Sequence, residues 1–195
     1  MKTIKVVLCG PPHSGKSCLR EGLKQAIFRI TKGEPYPYVI TACPDGEGSF
    51  YSEAARVDPE NARRLKEAYK AKFTPEFAQL RASWVRNTTE TLNIIDVGGK
   101  ISPENRLIMA EATHVVILAG DMSKASDWKE FCVELGLQVI ALIHSDYEGE
   151  ADRIDMEEPL LMGSVHYLER GEDVSGRPMV QALARKLLHL ATAED

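Results

Sequence analysis

The sequence predicts an α/β fold in three layers: a mainly parallel sheet, helices on both of its faces, and a helical insertion at about 56–87. Three observations predict it. Short, continuous apolar runs at residues 4–9, 91–95, 114–118 and 137–143 alternate with helix-patterned stretches, as strands buried on both faces do. Helix starts are marked by Asp58-Pro59-Glu60, Thr74-Pro75-Glu76 and Ser102-Pro103-Glu104, and helix ends by Gly33, Pro35 and Gly136. The first apolar run leads without a gap into a glycine-rich loop and then into a helix.

That loop, Gly10-Pro11-Pro12-His13-Ser14-Gly15-Lys16-Ser17, fits G-x-x-x-x-G-K-[ST] in its strand–loop–helix setting, which points to a P-loop nucleoside triphosphatase (NTPase) domain. Backbone N–H groups of such a loop surround phosphate, and the helix N-terminus adds partial positive charge. Gly10, Pro11, Pro12, His13, Ser14, Gly15, Lys16, Ser17 and Cys18 are therefore the expected nucleotide-binding residues. Gly10 and Gly15 give backbone angles and close approach that a Cβ would block. Lys16 is expected at the β- and γ-phosphates and Ser17 on Mg²⁺. His13 reads as loop packing or a phosphate contact rather than a base.

A chain of 195 residues is expected to form one domain, 1–195, with enough length for a sizeable core. At 44% hydrophobic and 27% charged it has the composition of an ordinary globular protein. No apolar run approaches the ~20 residues of a membrane span. No signal-peptide layout precedes the first strand. Cys9, Cys18, Cys43 and Cys132 form no CxxC pair, so a zinc site is not expected and a reduced, cytoplasmic protein is.

A net charge of −5 disfavours bulk binding to nucleic acid or acidic membranes. The charge is uneven: residues 56–86 carry eight basic and four acidic side chains, a local +4 against −9 elsewhere. This segment is either a solvated helix pair or a surface facing an anionic nucleotide or oligonucleotide acceptor.

Helices are expected over about 16–31, 58–72, 74–86, 102–112, 126–135 and 177–191. Leu19, Leu23, Ala26, Ile27 and Ile30 form the stripe of the first, and Val180, Leu183, Leu187 and Leu190 that of the last. Further strands are expected at 38–42 and near 159–165, with an acidic loop over 145–158. Parallel strands would bring the glycine-rich loop, the Asp45 loop, Asp96 and the Asp121 loop to one rim, where ligands of such sheets bind.

Asp96 closes a hydrophobic strand, the place of the second acid of a P-loop NTPase, and is expected to hold Mg²⁺ with Ser17. Asp96-Val97-Gly98-Gly99 also fits D-x-x-G, whose glycine N–H senses a γ-phosphate in switch-type NTPases; Gly99 is therefore a further nucleotide-binding residue, with Lys100 beside it. Asp45 and Glu47, in Pro44-Asp45-Gly46-Glu47-Gly48, either orient an acceptor or water as catalytic residues or make a turn. Lys16 completes the expected catalytic set. Tyr51, Tyr69 and Trp84 either stack on a base or pack in the core. Asp121 and Asp146 either contact base or ribose or cap the turns after them. No Asn-Lys-x-Asp guanine-reading sequence occurs, so ATP with Mg²⁺ is expected rather than GTP.

Gly10-Pro-Pro-His-Ser-Gly-Lys-Ser, Ala42-Cys-Pro-Asp-Gly-Glu-Gly-Ser, Ile95-Asp-Val-Gly-Gly-Lys-Ile-Ser-Pro-Glu-Asn and Leu142-Ile-His-Ser-Asp-Tyr together resemble one group. It is the P-loop domain, AAA-like or nucleotide-kinase-like, found with the CRISPR-associated ring nucleases of type III systems. The resemblance runs over about 4–190. It implies an accessory of cyclic-oligoadenylate signalling in antiviral defence, with a ring nuclease as partner; the chain has no room for the small nuclease domain itself. The arginine-finger and sensor pattern of true AAA ATPases is not visible. A homo-oligomer is the expected state.

Two functions are open to such a chain. One is an enzyme, an NTPase or a nucleotide or nucleoside kinase-like phosphotransferase. The other is a non-catalytic module in which nucleotide orders 97–105 and controls a partner.

Overall fold

The computed structural model describes residues 3–44, 60 and 72–193. Seven strands form one sheet: β1 (Ile4–Cys9), β2 (Pro37–Thr41), β3 (Leu92–Asp96), β4 (His114–Ala119), β5 (Gln138–Asp146), β6 (Arg153–Met156) and β7 (Leu161–His166), in the order β2-β3-β1-β4-β5-β7-β6. All neighbouring pairs are parallel except β6–β7 at one edge. The expected α/β, mainly parallel, helix-flanked architecture is therefore what the chain adopts.

The helices are α1 (Lys16–Thr31), α2 (Pro75–Asn87), α3 (Pro103–Met109), α4 (Ala125–Glu134) and α5 (Pro178–Thr192), with a 3₁₀ turn over Met122–Lys124 before α4. Strand alternation splits the core into two layers. Val6 and Leu8 of β1 face α1 and α5 through Leu19, Leu23, Ile27, Met179, Leu183 and Leu187. Val7 and Cys9 face the other side, where Ala78, Val85, Ile108, Trp128 and Phe131 of α2, α3 and α4 close it. Both faces of the central strands are covered, so β3 and β4 are buried along their whole length.

Local chemistry sets the helix starts. The Thr74 hydroxyl accepts from the Phe77 N–H and the Ser102 hydroxyl from the Asn105 N–H, each with proline in the first turn. Of the expected helix over 58–72 only Glu60, which is helical, and Lys72 are described; Asp45, Glu47, Tyr51, Tyr69 and residues 56–59 and 61–71 of the basic segment lie outside the described residues.

One expectation is corrected. The acidic stretch 145–158 is not all loop: β5 continues to Asp146 and β6 occupies 153–156. Three of the four β6 residues are exposed, and the strand's apolar alternation is only two residues long, Ile154 and Met156. It is held by antiparallel pairing to β7, where Gly163 lets the Arg153 carbonyl come within 1.9 Å of where a Cβ would stand.

The strand order also places a crevice. From β1 the chain crosses through α1 towards β2, whereas from β3 it crosses through α3 to β4, on the opposite side of β1. The reversal falls between β1 and β4, and ligands of open α/β sheets bind at the strand carboxyl ends there.

Candidate functional site

The loop between β1 and α1 arches over that reversal. Gly10 has φ +137°, and a Cβ on it would lie 1.9 Å from the Leu118 carbonyl oxygen of β4, so only glycine permits this contact. Gly15 is the N-cap of α1, in the left-handed region, and no side chain caps the helix; its first turn carries no acid. No side chain covers the first-turn N–H groups of α1, an arrangement that favours an anion. Ser14 Oγ donates to the Pro11 carbonyl at 2.8 Å, closing the loop on itself. Pro12 and His13 stand exposed at its tip, and His13 also has positive φ.

Lys16 folds back into the loop. Its Nζ donates to the carbonyls of Gly10 (2.9 Å) and Pro11 (2.8 Å) and approaches Ser14 Oγ at 3.4 Å. Only 9% of the residue is accessible, so its charge is gathered inside the loop rather than spread into solvent.

Asp96 ends β3, next to β1, and is buried. Its Oδ2 lies 3.5 Å from Ser17 Oγ and 3.1 Å from Arg20 Nη1. Burial pushes the Asp96 carboxyl up, while Arg20, Lys16 and the Ser17 and Arg20 hydrogen bonds pull it back towards ionisation. Ser17 and Asp96 together offer a hydroxyl and a carboxylate oxygen at one point of the rim. Mg²⁺ suits such a pair, because it takes one or two protein oxygens and fills its octahedron with water and phosphate. Among the described residues no group of three or more His, Cys, Asp or Glu side chains is gathered for a metal.

The Asp96–Gly99 segment lies against the loop. A Cβ on Gly99 would stand 2.6 Å from the Pro12 nitrogen and 2.7 Å from its Cα. Asn105, fully buried on α3, fixes the segment by donating from Nδ2 to the carbonyls of Gly98 (3.0 Å) and Lys100 (2.7 Å). Lys100 itself is exposed.

On the other side of the loop a cleft of about 330 Å³ opens between the ends of β4, β5 and β7. His13, Gly15 and Leu168 form one wall, Gly120 and residues 144–148 the other. Of the two undecided aspartates, Asp146 lines this cleft. Asp121 does not; it caps the 3₁₀ turn, its Oδ1 accepting from the Ser123 N–H and hydroxyl. Tyr147 at the rim stacks near Tyr167, with ring centroids 5.2 Å apart, and donates to Glu169 at 2.6 Å, which pushes the phenol up to about 12.

The structure thus brings Gly10–Cys18, Asp96 and Gly99 together. It leaves Trp84 on the outer surface, about half exposed, with the Arg81 guanidinium 4.1 Å from its ring centroid; it neither lines the cleft nor enters the core. Arg86, the last basic residue of the 56–86 segment, forms a two-point pair with Glu111 (2.6 and 3.1 Å), so this member is matched on the surface rather than turned to a ligand.

Sequence reasoning missed two residues. Arg20 comes three positions after Ser17 on a helix and so shares its face, a signal that was present. Asn105 is legible only as the residue after a Ser-Pro-Glu helix start; its reach back to Gly98 and Lys100 depends on the loop's path.

The cysteines are all free thiols among the described residues. Cys9 and Cys132 lie 3.8 Å apart (Sγ to Sγ) beneath the loop, and burial drives the Cys9 thiol well above its ordinary range. No described helix is long and apolar enough to cross a membrane. Comparison of the chain with protein-family models gives no match, and comparison with curated proteins gives no significant match either.

Proposed function

We propose that this protein is a P-loop protein that binds ATP with Mg²⁺, its phosphates in the loop 10–17 and its metal on Ser17 and Asp96. The observation that carries the reading is the convergence of three groups: the uncapped N-terminus of α1, the Lys16 ammonium inside the loop, and the buried Asp96 carboxylate 3.5 Å from Ser17 Oγ. A triphosphate meets donors in the loop, a cation beside it and an oxygen pair for its metal.

In this reading Lys16 leaves the Gly10 and Pro11 carbonyls and turns to phosphate oxygens. The cleft lined by Asp146 takes the nucleoside, the carboxylate accepting from a base amino group or a ribose hydroxyl. Mg²⁺, when bound, neutralises charge on the phosphates; the chain's own part is to hold and orient them. By its resemblance the protein would act beside a ring nuclease as an accessory of cyclic-oligoadenylate signalling, with Asp45 and Glu47 as its proposed acceptor- or water-orienting residues.

The test is turnover. Purified protein with ATP and Mg²⁺ is expected to release ADP above background, and Lys16→Ala to suppress it. ADP formed only when a nucleoside or nucleotide is added identifies a kinase.

The contact of Gly99 with Pro12 favours a second reading, a nucleotide-controlled binding module. A segment resting on the loop and pinned by Asn105 is placed to move with nucleotide occupancy. Tight ATP binding without turnover, with changed amide exchange at 97–105, selects it.

A further inference from the structure

Arg20 stands where the proposed cation would act. Its Nη1 is 3.1 Å from Asp96 Oδ2, the same oxygen that faces Ser17 Oγ, and its side chain is only 15% exposed. One carboxylate oxygen thus serves a guanidinium now and would serve a metal later.

A divalent ion bound to Ser17 and Asp96 would sit within a few ångströms of that guanidinium, in a place shielded from solvent. Each cation is attracted to the carboxylate, but the two repel each other, and the burial of Asp96 keeps the repulsion from being screened. Mg²⁺ also requires octahedral oxygen ligands and gives up its water reluctantly. One carboxylate already paired with arginine offers it little.

We infer that Arg20 is a latch on the metal site: it holds Asp96 when no nucleotide is present and makes divalent-cation binding depend on triphosphate. Phosphate oxygens supply the negative charge that lets guanidinium and metal coexist, and further ligands for the metal. Free Mg²⁺ therefore does not fill the site, and the metal enters with the nucleotide. The inference rests on the triphosphate reading of the loop and adds a regulation of that site.

The experiment is Mn²⁺ binding, read from the loss of the free-ion electron paramagnetic resonance signal, with and without a non-hydrolysable ATP analogue. Binding of a fluorescent ATP derivative is measured alongside. Measured against the same analogue without protein, the wild-type protein with analogue is expected to bind Mn²⁺ at least about tenfold more tightly than the protein alone. Arg20→Gln should tighten Mn²⁺ binding without nucleotide by about tenfold, and Arg20→Lys, which keeps the charge, should stay near wild type. Should Arg20→Gln not fold, thermal melting of the wild type decides: Mn²⁺ alone should leave the transition unmoved, and Mn²⁺ with analogue should raise it.

Wild-type protein that takes up Mn²⁺ equally well without nucleotide overturns the latch. So does a folded Arg20→Gln protein with unchanged metal affinity. In both cases the triphosphate reading stands as long as the fluorescent nucleotide binds. Failure of the wild type to bind that nucleotide removes the reading and the latch together.

Discussion

Gly99 and Pro12 touch backbone to backbone: a Cβ on Gly99 would lie 2.6 Å from the Pro12 nitrogen and 3.1 Å from the Pro11 carbonyl carbon. No flexible side chain lies between them to give way. Any side chain at 99 must push either the 97–100 segment or the loop itself. Gly98, one residue earlier, is different; a Cβ there would meet Cys43 Sγ at 3.4 Å and Asn105 Nδ2 at 3.5 Å, both ordinary contacts.

Gly99→Ala is therefore expected to displace the loop, costing about 1–3 kcal/mol of stability and weakening ATP-analogue binding by about tenfold or more. Gly98→Ala should change both by far less. Thermal melts and fluorescent-nucleotide titration of the two proteins check this. Equal effects from the two substitutions would remove the contact as the cause.

Lys16 has a structural task besides any task at phosphate. Its ammonium satisfies the buried Gly10 and Pro11 carbonyls. Lys16→Ala should then cost stability of about 1–3 kcal/mol even with no nucleotide present, because buried acceptors lose their donor. At about 2–4 °C per kcal/mol for a chain of this size, the loss is visible in a nucleotide-free melt by circular dichroism. An unchanged melting temperature would mean the ammonium is not held in the loop.

The central sheet was legible because its strands are buried on both faces and therefore read as continuous apolar runs: Ile4–Cys9, Leu92–Asp96 and His114–Ala119. The loop and α1 were legible because Gly10, Gly15, Lys16 and Ser17 are each demanded by local geometry. β6 was not, since only Ile154 of Arg153-Ile154-Asp155-Met156 packs on the core and the strand takes its order from β7. Arg20 could be read onto the Ser17 face from its spacing, whereas Asn105 became visible only when the path of the loop after β3 brought Gly98 and Lys100 to it. Trp84 was assigned by residue type to base or core, and α2 turned it outward onto Arg81 instead.

Acid should loosen the tie between α1 and the segment before α5. Asp173 Oδ2 accepts from Arg29 Nη2 at 2.9 Å, and its Oδ1 accepts from the Ser175 N–H and hydroxyl. The Ser175 hydroxyl, then Arg29, draw the Asp173 carboxyl down to about 2 from an ordinary 3.8. The folded value lies below the unfolded one, so this contribution is complete above about pH 4 and disappears as pH falls towards 2. Asp173→Asn should flatten stability against pH in that window and leave the slope above pH 5 unchanged. Urea midpoints measured from pH 2 to 6 on both proteins decide it; parallel curves would assign the acid loss to other carboxylates.

Asp152 is the residue on which the far end of the sheet depends. Its side chain is wholly buried. Oδ1 accepts from the His166 N–H (3.0 Å) and pairs with His166 Nδ1 (2.6 Å), and Oδ2 accepts from the Met179 N–H in the first turn of α5 (2.9 Å). One carboxylate thus joins the residue before β6 to the end of β7 and caps the helix that fills the core beside α1. Asp152→Ala would strip a helix cap and strand buried donors together, a loss of about 2–4 kcal/mol. Asp152→Asn keeps the shape and one acceptor oxygen but turns an amide N–H₂ towards a donor, so about half that loss is expected. The order Ala worse than Asn, with both well below wild type in urea midpoint, is the signature of a buried cap; a neutral Asp152→Ala would show that α5 docks without it.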